Sequence, residues 1–275
     1  MLMLIDTHAH LTWDSFEPDL EAVVQKAADT GLKAIINIGA DLESSLKAAQ
    51  LKSPTSQISF YSTIGLHPHE TSKLSNYESI YDNINRLETI YQNYADKVVA
   101  LGECGLDYYF AGADFTPSTL SQETLIKLQK ELFLGQINLA KKLSLPLIIH
   151  CRDCWQDIFL PELEGTQGVF HSFTGSSEDA HKALSLGYYL GFSCPITYPK
   201  NDALREIIKT TPLDKILTET DCPFLPPQSQ RGQRNEPANI LEVIKVIAQV
   251  KNLSEGEVSH QVFKNATQLF ALPSN

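Results

Sequence analysis

Eight short runs rich in Ile, Val, Leu and Tyr recur along the chain, and helical patterns separate them. The runs are Leu2–His10, Lys33–Gly39, Ile58–His67, Val98–Asp107, Pro146–Cys151, Gly168–Phe173, Tyr188–Cys194 and Ile216–Cys222. Most are nearly continuous in apolar residues, as strands covered on both faces require. The stretches between them repeat with the period of a helix. Leu20, Val23, Val24 and Ala27 share one face; Leu125, Leu128, Leu132, Leu139 and Leu143 share another; Ile240, Val243, Ile244 and Ile247 share a third. Pro237 suits the first turn of that last helix. Ser254 and Glu257 have capping-box spacing ahead of Val258, Val262 and Phe263. Strand and helix alternating in this way specify an α/β fold: a (β/α)8 TIM barrel with a parallel eight-stranded core, one domain over residues 1–275. An open doubly wound sheet is the competing topology, but its GxGxxG phosphate fingerprint is absent.

Composition narrows the function classes. Lys and Arg total 22 against 33 Asp and Glu, a formal charge of −11. Such a chain does not coat duplex DNA by counterion release. It can take a few nucleotides into a cleft, or be neutralised locally by bound cations. No apolar run reaches the ~18 residues of a membrane span. Asp6 leaves only Met1–Ile5 ahead of the first charge, too short for a signal-peptide core. Five cysteines, an odd number, are expected as reduced thiols in the cytoplasm.

The polar residues collect where the apolar runs end. The first run ends in Asp6-Thr7-His8-Ala9-His10, and residues two apart on a strand share a face, so His8 and His10 point the same way. The third ends in His67-Pro68-His69, the fourth contains Glu103 and Asp107, and the fifth ends in His150-Cys151-Arg152. The sixth holds His171 and the eighth ends in Glu219-Thr220-Asp221. A barrel gathers the carboxyl ends of its strands at one mouth. So many ionisable groups in a partly dry place are costly unless cations compensate them. Four imidazoles and two carboxylates suit two divalent ions with one carboxylate bridging.

These stretches resemble the TatD-type metal-dependent deoxyribonucleases of the amidohydrolase superfamily. The matching segments are Ile5–Leu11, Gly65–His69, Gly102–Tyr109, His150–Asp153, His171–Gly175, Glu219–Leu225 and Arg231–Pro237, in order along nearly the whole chain. The resemblance implies that His8, His10 and Asp221 hold one metal, that His150 and His171 hold a second, and that Glu103 bridges them. It implies hydrolysis of DNA, including 3′-to-5′ exonuclease action; some relatives act on D-aminoacyl-tRNA esters, and others in the superfamily on C–N bonds. The cations are Mg²⁺, Mn²⁺ or Zn²⁺. Cys104 stands where an aliphatic residue is usual, Pro195 where a glycine is expected, and the Phe110–Gln122 loop is longer than usual. That loop and Leu225–Glu236 follow strand ends, where barrel enzymes build their sites.

For phosphodiester cleavage, Asp221 and Glu103 are the candidate catalytic residues: Asp221 ligates and accepts a proton from water, and Glu103 sets the metal pair. Arg152 reads as a phosphate fork or as an ion-pair partner of Asp153 or Glu219. His67 is a phosphate contact by resemblance, with a structural hydrogen bond as the other reading. Arg231 and Arg234 either touch a strand's backbone or belong to a solvated loop. With so few cations, the expected substrate is a single-stranded DNA end, without membrane association and without an obligatory protein partner. Tyr108, Tyr109, Phe173 and Phe224 follow ligand strands and either stack bases or pack in the core. A rival class is a thiol redox protein, because Cys151-Arg152-Asp153-Cys154 has CxxC spacing at a strand end.

Overall fold

The computed structural model describes residues 2–74, 77–111 and 118–273. Its strands are β1 (Leu4–Ala9), β2 (Leu32–Asn37), β3 (Ser59–Ile64), β4 (Val98–Asp107), β5 (Leu147–Arg152), β6 (Gly168–Phe170), β7 (Tyr189–Phe192) and β8 (Ile216–Thr218). They form one eight-stranded sheet in sequence order, and every neighbouring pair is parallel. The helices are α1 (Leu20–Asp29), α2 (Leu42–Gln50), α3 (Tyr77–Tyr94), α4 (Gln122–Leu143), α5 (Ser177–Ser185), α6 (Asp202–Thr210), α7 (Ile240–Lys251) and α8 (Glu255–Leu269). The expected (β/α)8 barrel is therefore the observed one, nearly closed.

Closure between β8 and β1 is not a regular ladder. A single bridge joins Ala9 to Cys222. Asp221 N–H donates to the His8 carbonyl (2.9 Å) and His10 N–H to the Cys222 carbonyl (2.8 Å). Below them, the buried Asp6 carboxylate accepts from Thr220 N–H (2.9 Å) and from its hydroxyl (2.5 Å). The seam thus fixes the relative position of His8, His10 and Asp221.

Alternation along each strand sorts the side chains. Ile5, Ala34, Ile36, Ala100, Ile148, Val169, Tyr189 and Leu217 form one buried cluster, which Ala266, Leu269 and Phe270 at the end of α8 also join. Their sequence neighbours Leu4, Ile35, Leu101, Ile149, Phe170, Leu190 and Ile216 pack in the other cluster with the surrounding helices. Two residues beyond Ile148, Val169 and Leu217 on the same faces come His150, His171 and Glu219. The same stripe that is aliphatic low in the barrel becomes ionisable at its mouth.

The helical readings hold, with one adjustment. Leu125, Leu128, Leu132 and Leu139 are buried on α4, and Ser254 and Glu257 form the capping box of α8. Pro237 does not open α7; it begins a 3-10 turn, Pro237–Asn239, and α7 starts at Ile240. Several strands are shorter than their apolar runs. β3 stops at Ile64, before His67, and β6 stops at Phe170, before His171. In the Phe110–Gln122 stretch, residues 112–117 lie outside the described residues; Ser121 caps α4 through its side chain.

Candidate metal centre

Two sets of donor atoms meet at the barrel mouth and share Glu103. In the first, His8 Nε2 and His10 Nε2 lie 3.2 Å apart. Glu103 Oε2 stands 3.5 Å and 3.8 Å from them, and Asp221 Oδ1 3.7 Å and 3.5 Å. In the second, Glu103 Oε1 lies 2.7 Å from His150 Nδ1 and 2.8 Å from His171 Nε2, which are 3.0 Å from each other. An ion with ligands at ~2.1 Å in tetrahedral array spaces them by ~3.4 Å. The first set matches that edge, and the second is slightly tighter. His8 Nδ1, His10 Nδ1 and His171 Nδ1 are buried without a hydrogen-bond partner. Imidazole lone pairs turned on one another and on carboxylates are the donor set of a cation, and these residues fit one.

The imidazoles and carboxylates of the cluster shift one another's titration. Burial works against charge on Glu103, but His171, His150 and His8 outweigh it and hold its carboxyl well below the usual range. Burial and the facing His171 push His8 down to about 4. Burial disfavours a charged His150, yet Asp107 and Glu103 raise it to about 10. Asp221 resists burial through His10 and His8 and stays below its ordinary value. The backbone is strained at this same mouth. Asp153, Ser172 and Asp221 have φ of 57°, 41° and 59°, in the left-handed region that costs a side-chain-bearing residue about 1 kcal/mol. They follow the ends of β5, β6 and β8 and turn the chain beside the candidate ligands.

A model of the TatD related DNase family matches residues 5–271. The chain belongs to this family. The uncharacterized metal-dependent hydrolase YabD of Bacillus subtilis is 36% identical over 98% of this chain and 100% of its own length. The uncharacterized metal-dependent hydrolase YcfH of Escherichia coli is 33% identical over 100% of this chain and 98% of its own. The crystal structure of YjjV, a TatD homologue from Escherichia coli, superposes with a TM-score of 0.85 at 30% identity, covering 98% of each chain.

In this TatD-family barrel, the six candidate ligands His8, His10, Glu103, His150, His171 and Asp221 come together as the sequence suggested. His67 joins them: its Nε2 is 3.8 Å from Glu103 Oε1. Its Nδ1 accepts from His69 N–H (3.2 Å), and burial and His150 push it down to about 3. With Nδ1 accepting that hydrogen bond, a neutral ring carries its proton on Nε2, facing the cluster; His67 also meets Asp107 and His150 as a further group of donors that could hold a cation. Arg152 makes no ion pair with Asp153 or Glu219; its guanidinium lies 3.8 Å over the Tyr109 ring, exposed. Arg231, also exposed, lies 4.6 Å over Tyr198. Arg234 is structural: it pairs with Asp19 (2.7 Å) and Glu236 (3.2 Å), tying the last loop to the start of α1.

Other expectations are corrected by burial. Phe173 is core, and the Tyr108 hydroxyl donates to Asp157 (2.8 Å), so neither is a stacking surface. Cys151 and Cys154 bring their sulfurs to 3.2 Å, but both are buried and burial raises the Cys151 thiol far above its usual value. Redox cysteines need an exposed, acidic thiol, so the redox reading fails.

The sequence reading missed Asp107 as a brace. Asp107 Oδ2 lies 3.2 Å from His150 Nε2, which leaves Nδ1 of that ring for Glu103 and His171. It missed Gln129 and Gln136, which hold the ends of β4 and of the β3 loop. Their signal was present: both polar residues fall on the apolar stripe of α4. It also passed over Trp13, whose ring centroid is 6.0 Å from that of His10.

Proposed function

We propose that this chain, acting as a single domain, is a metal-dependent hydrolase of phosphodiester bonds that removes nucleotides from single-stranded 3′ ends of DNA. The observation that carries the reading is the pair of donor sets joined through the two oxygens of Glu103. The family description, TatD related DNase, supports the choice of nucleic acid over other esters.

Two divalent cations bound here would supply water activation and charge neutralisation at phosphorus. His8, His10 and Asp221 would hold one, His150 and His171 the other, and Glu103 both. The chain's own residues do the rest. Asp221, held ionised by His10 and His8, accepts the proton of the attacking water. Glu103 stays ionised and keeps the two sets in one frame. His67 Nε2–H points into the cluster and donates to a phosphate oxygen. Arg152 and Arg231 meet the strand's phosphates at the rim. The buried cysteines, free of disulfides, suit a reducing cytoplasm. No described helix is long and apolar enough to cross a membrane.

The test is a panel of end-labelled linear and circular DNA, single- and double-stranded, assayed with Mg²⁺, Mn²⁺ and Zn²⁺ and with EDTA. Linear single strands should shorten from the 3′ end, and EDTA should abolish this. The affinity should fall with salt at a slope for two to four phosphates, each contributing ~0.7. Efficient cutting of the circle, a slope of eight or more phosphates, or full activity of a metal-free preparation overturns the reading.

A further inference from the structure

Seven large apolar side chains are exposed among the described residues, and three of them sit on the loops around the candidate centre: Trp13, Tyr109 and Leu225. Each follows a proposed ligand in or just past its strand: Trp13 follows β1 and His10, Tyr109 follows β4 with Glu103, and Leu225 follows β8 and Asp221. A barrel mouth has no packing reason to hold them in water. Trp13 is 40% exposed, although its ring meets Phe224 edge to face at 4.8 Å and 88°. Phe224 in turn lies 5.9 Å from the His10 ring, so the aromatic pair abuts a candidate ligand directly. The loop is held in place: Trp13 N–H donates to the His10 carbonyl (3.2 Å), and Phe16 N–H to the Trp13 carbonyl (2.9 Å). Leu225 keeps its 40% exposure at a φ of 51°, a conformation a leucine rarely adopts without a reason at that place.

The cations beside this apolar wall set its partner. On a chain of charge −11, Arg152 and Arg231 are exposed and form no ion pair among the described residues. Both instead lie over tyrosine rings, which holds the planar guanidinium in place without neutralising it. A ligand that fits the rim therefore carries anions for the arginines and a flat, apolar-faced ring for the tryptophan. A nucleotide has both.

We propose that Trp13, backed by Phe224, is a nucleobase-stacking platform that takes the base next to the bond being cleaved. This rests on the phosphodiesterase reading above and deepens it: the chain recognises the base of its substrate as well as the backbone. Stacking is tolerant of sequence, because every base offers a π-face. The platform selects strands whose end bases are unpaired, since a base held in a duplex is not free to move onto it. Phosphate contacts position the strand, and Trp13 selects for the presence of a base on the terminal nucleotide.

The chain has two tryptophans, and Trp155 packs among Phe159, Phe170 and Phe173. Trp155→Phe therefore leaves Trp13 as the sole tryptophan, read by excitation at a wavelength that tyrosine does not absorb. The metal-loaded protein is titrated with a six-nucleotide single strand whose 3′ linkages are phosphorothioate, and with the same strand lacking its last two bases. We expect the intact strand to quench Trp13 and to bind about tenfold more tightly than the base-less one. In Trp13→Leu, measured by anisotropy of the labelled strand, that ratio falls to near one; Trp13→Phe retains most of it. Circular dichroism checks that both variants fold. If the strands bind and their unmodified counterparts are hydrolysed but removing the bases costs nothing, the platform is wrong and the nuclease reading stands. If neither strand binds and the unmodified strand is not hydrolysed, both are overturned.

Discussion

Gln136 lies on α4 in the wholly buried interface with the barrel, and both ends of its amide are used. Its Oε1 accepts from Leu66 N–H (2.8 Å) and its Nε2 donates to the Leu66 carbonyl (2.9 Å). It acts as a neighbouring strand would, at the point where β3 has ended and the chain turns toward His67. Gln129 does the same for Asp107, with bonds of 2.9 Å and 2.8 Å. Gln136→Leu keeps the size and the buried position but removes both bonds. It leaves one N–H and one C=O of Leu66 in a dry place, each costing about 1–3 kcal/mol. Leucine returns a little through its apolar surface, so we expect a net loss of about 3 kcal/mol. For a chain of this size that is a fall in Tm of roughly 6–12 °C, at about 2–4 °C per kcal/mol. Differential scanning fluorimetry reads it directly. Gln129→Leu should lose a similar amount. The two positions are two helical turns apart, roughly 10 Å at 1.5 Å per residue, so the double variant should show nearly the sum. Gln136→Leu should also raise KM for single strands, because His67 adjoins Leu66. A Tm within 2 °C of the parent for Gln136→Leu would refute the reasoning ~ a threshold below the shift expected for even one unsatisfied group.

Glu103→Gln should lower the metal content of both positions together, read by elemental analysis after dialysis; loss from one position alone would remove the bridging assignment. Asp221→Asn should reduce kcat by about a hundredfold or more at saturating metal while strand binding survives, and unchanged turnover would rule out its role with the proton. The Asp19 carboxyl is held below its ordinary value by Arg234, so the pair stabilises the fold above the unfolded carboxylate range and loses that contribution as pH falls through the lowered value. Asp19→Asn should therefore be less stable than the parent at pH 7 by about 0.5 kcal/mol after screening, with the gap closing in acid; a gap that widens below pH ~4 would contradict the sign.

Local order was legible where one period dominates. The eight runs declared themselves because a strand covered on both faces needs apolar side chains at every position, and α4 because Leu125, Leu128, Leu132 and Leu139 recur along one face. His8 and His10 were placed together by the two-residue period of a strand alone. With the barrel as the topology, the carboxyl ends had to meet; which six of their ionisable residues are the candidate donors was implied by the resemblance to the TatD family. What the sequence could not decide depends on neighbours distant along the chain. Whether β3 stops at Ile64 or runs to His67 depends on where its partner strands stop, and there Gln136 from α4 takes over the hydrogen bonds. Whether Cys151 and Cys154 are reactive depends on burial, and the fold closes over both. Arg152, Arg231 and Arg234 look alike in sequence, yet two lie over tyrosine rings and the third is consumed by Asp19 and Glu236. A local pattern sets which face of an element is apolar, because that face repeats with the backbone's own period; which charged group is left free is settled only when distant segments pack and the nearest opposite charge is chosen.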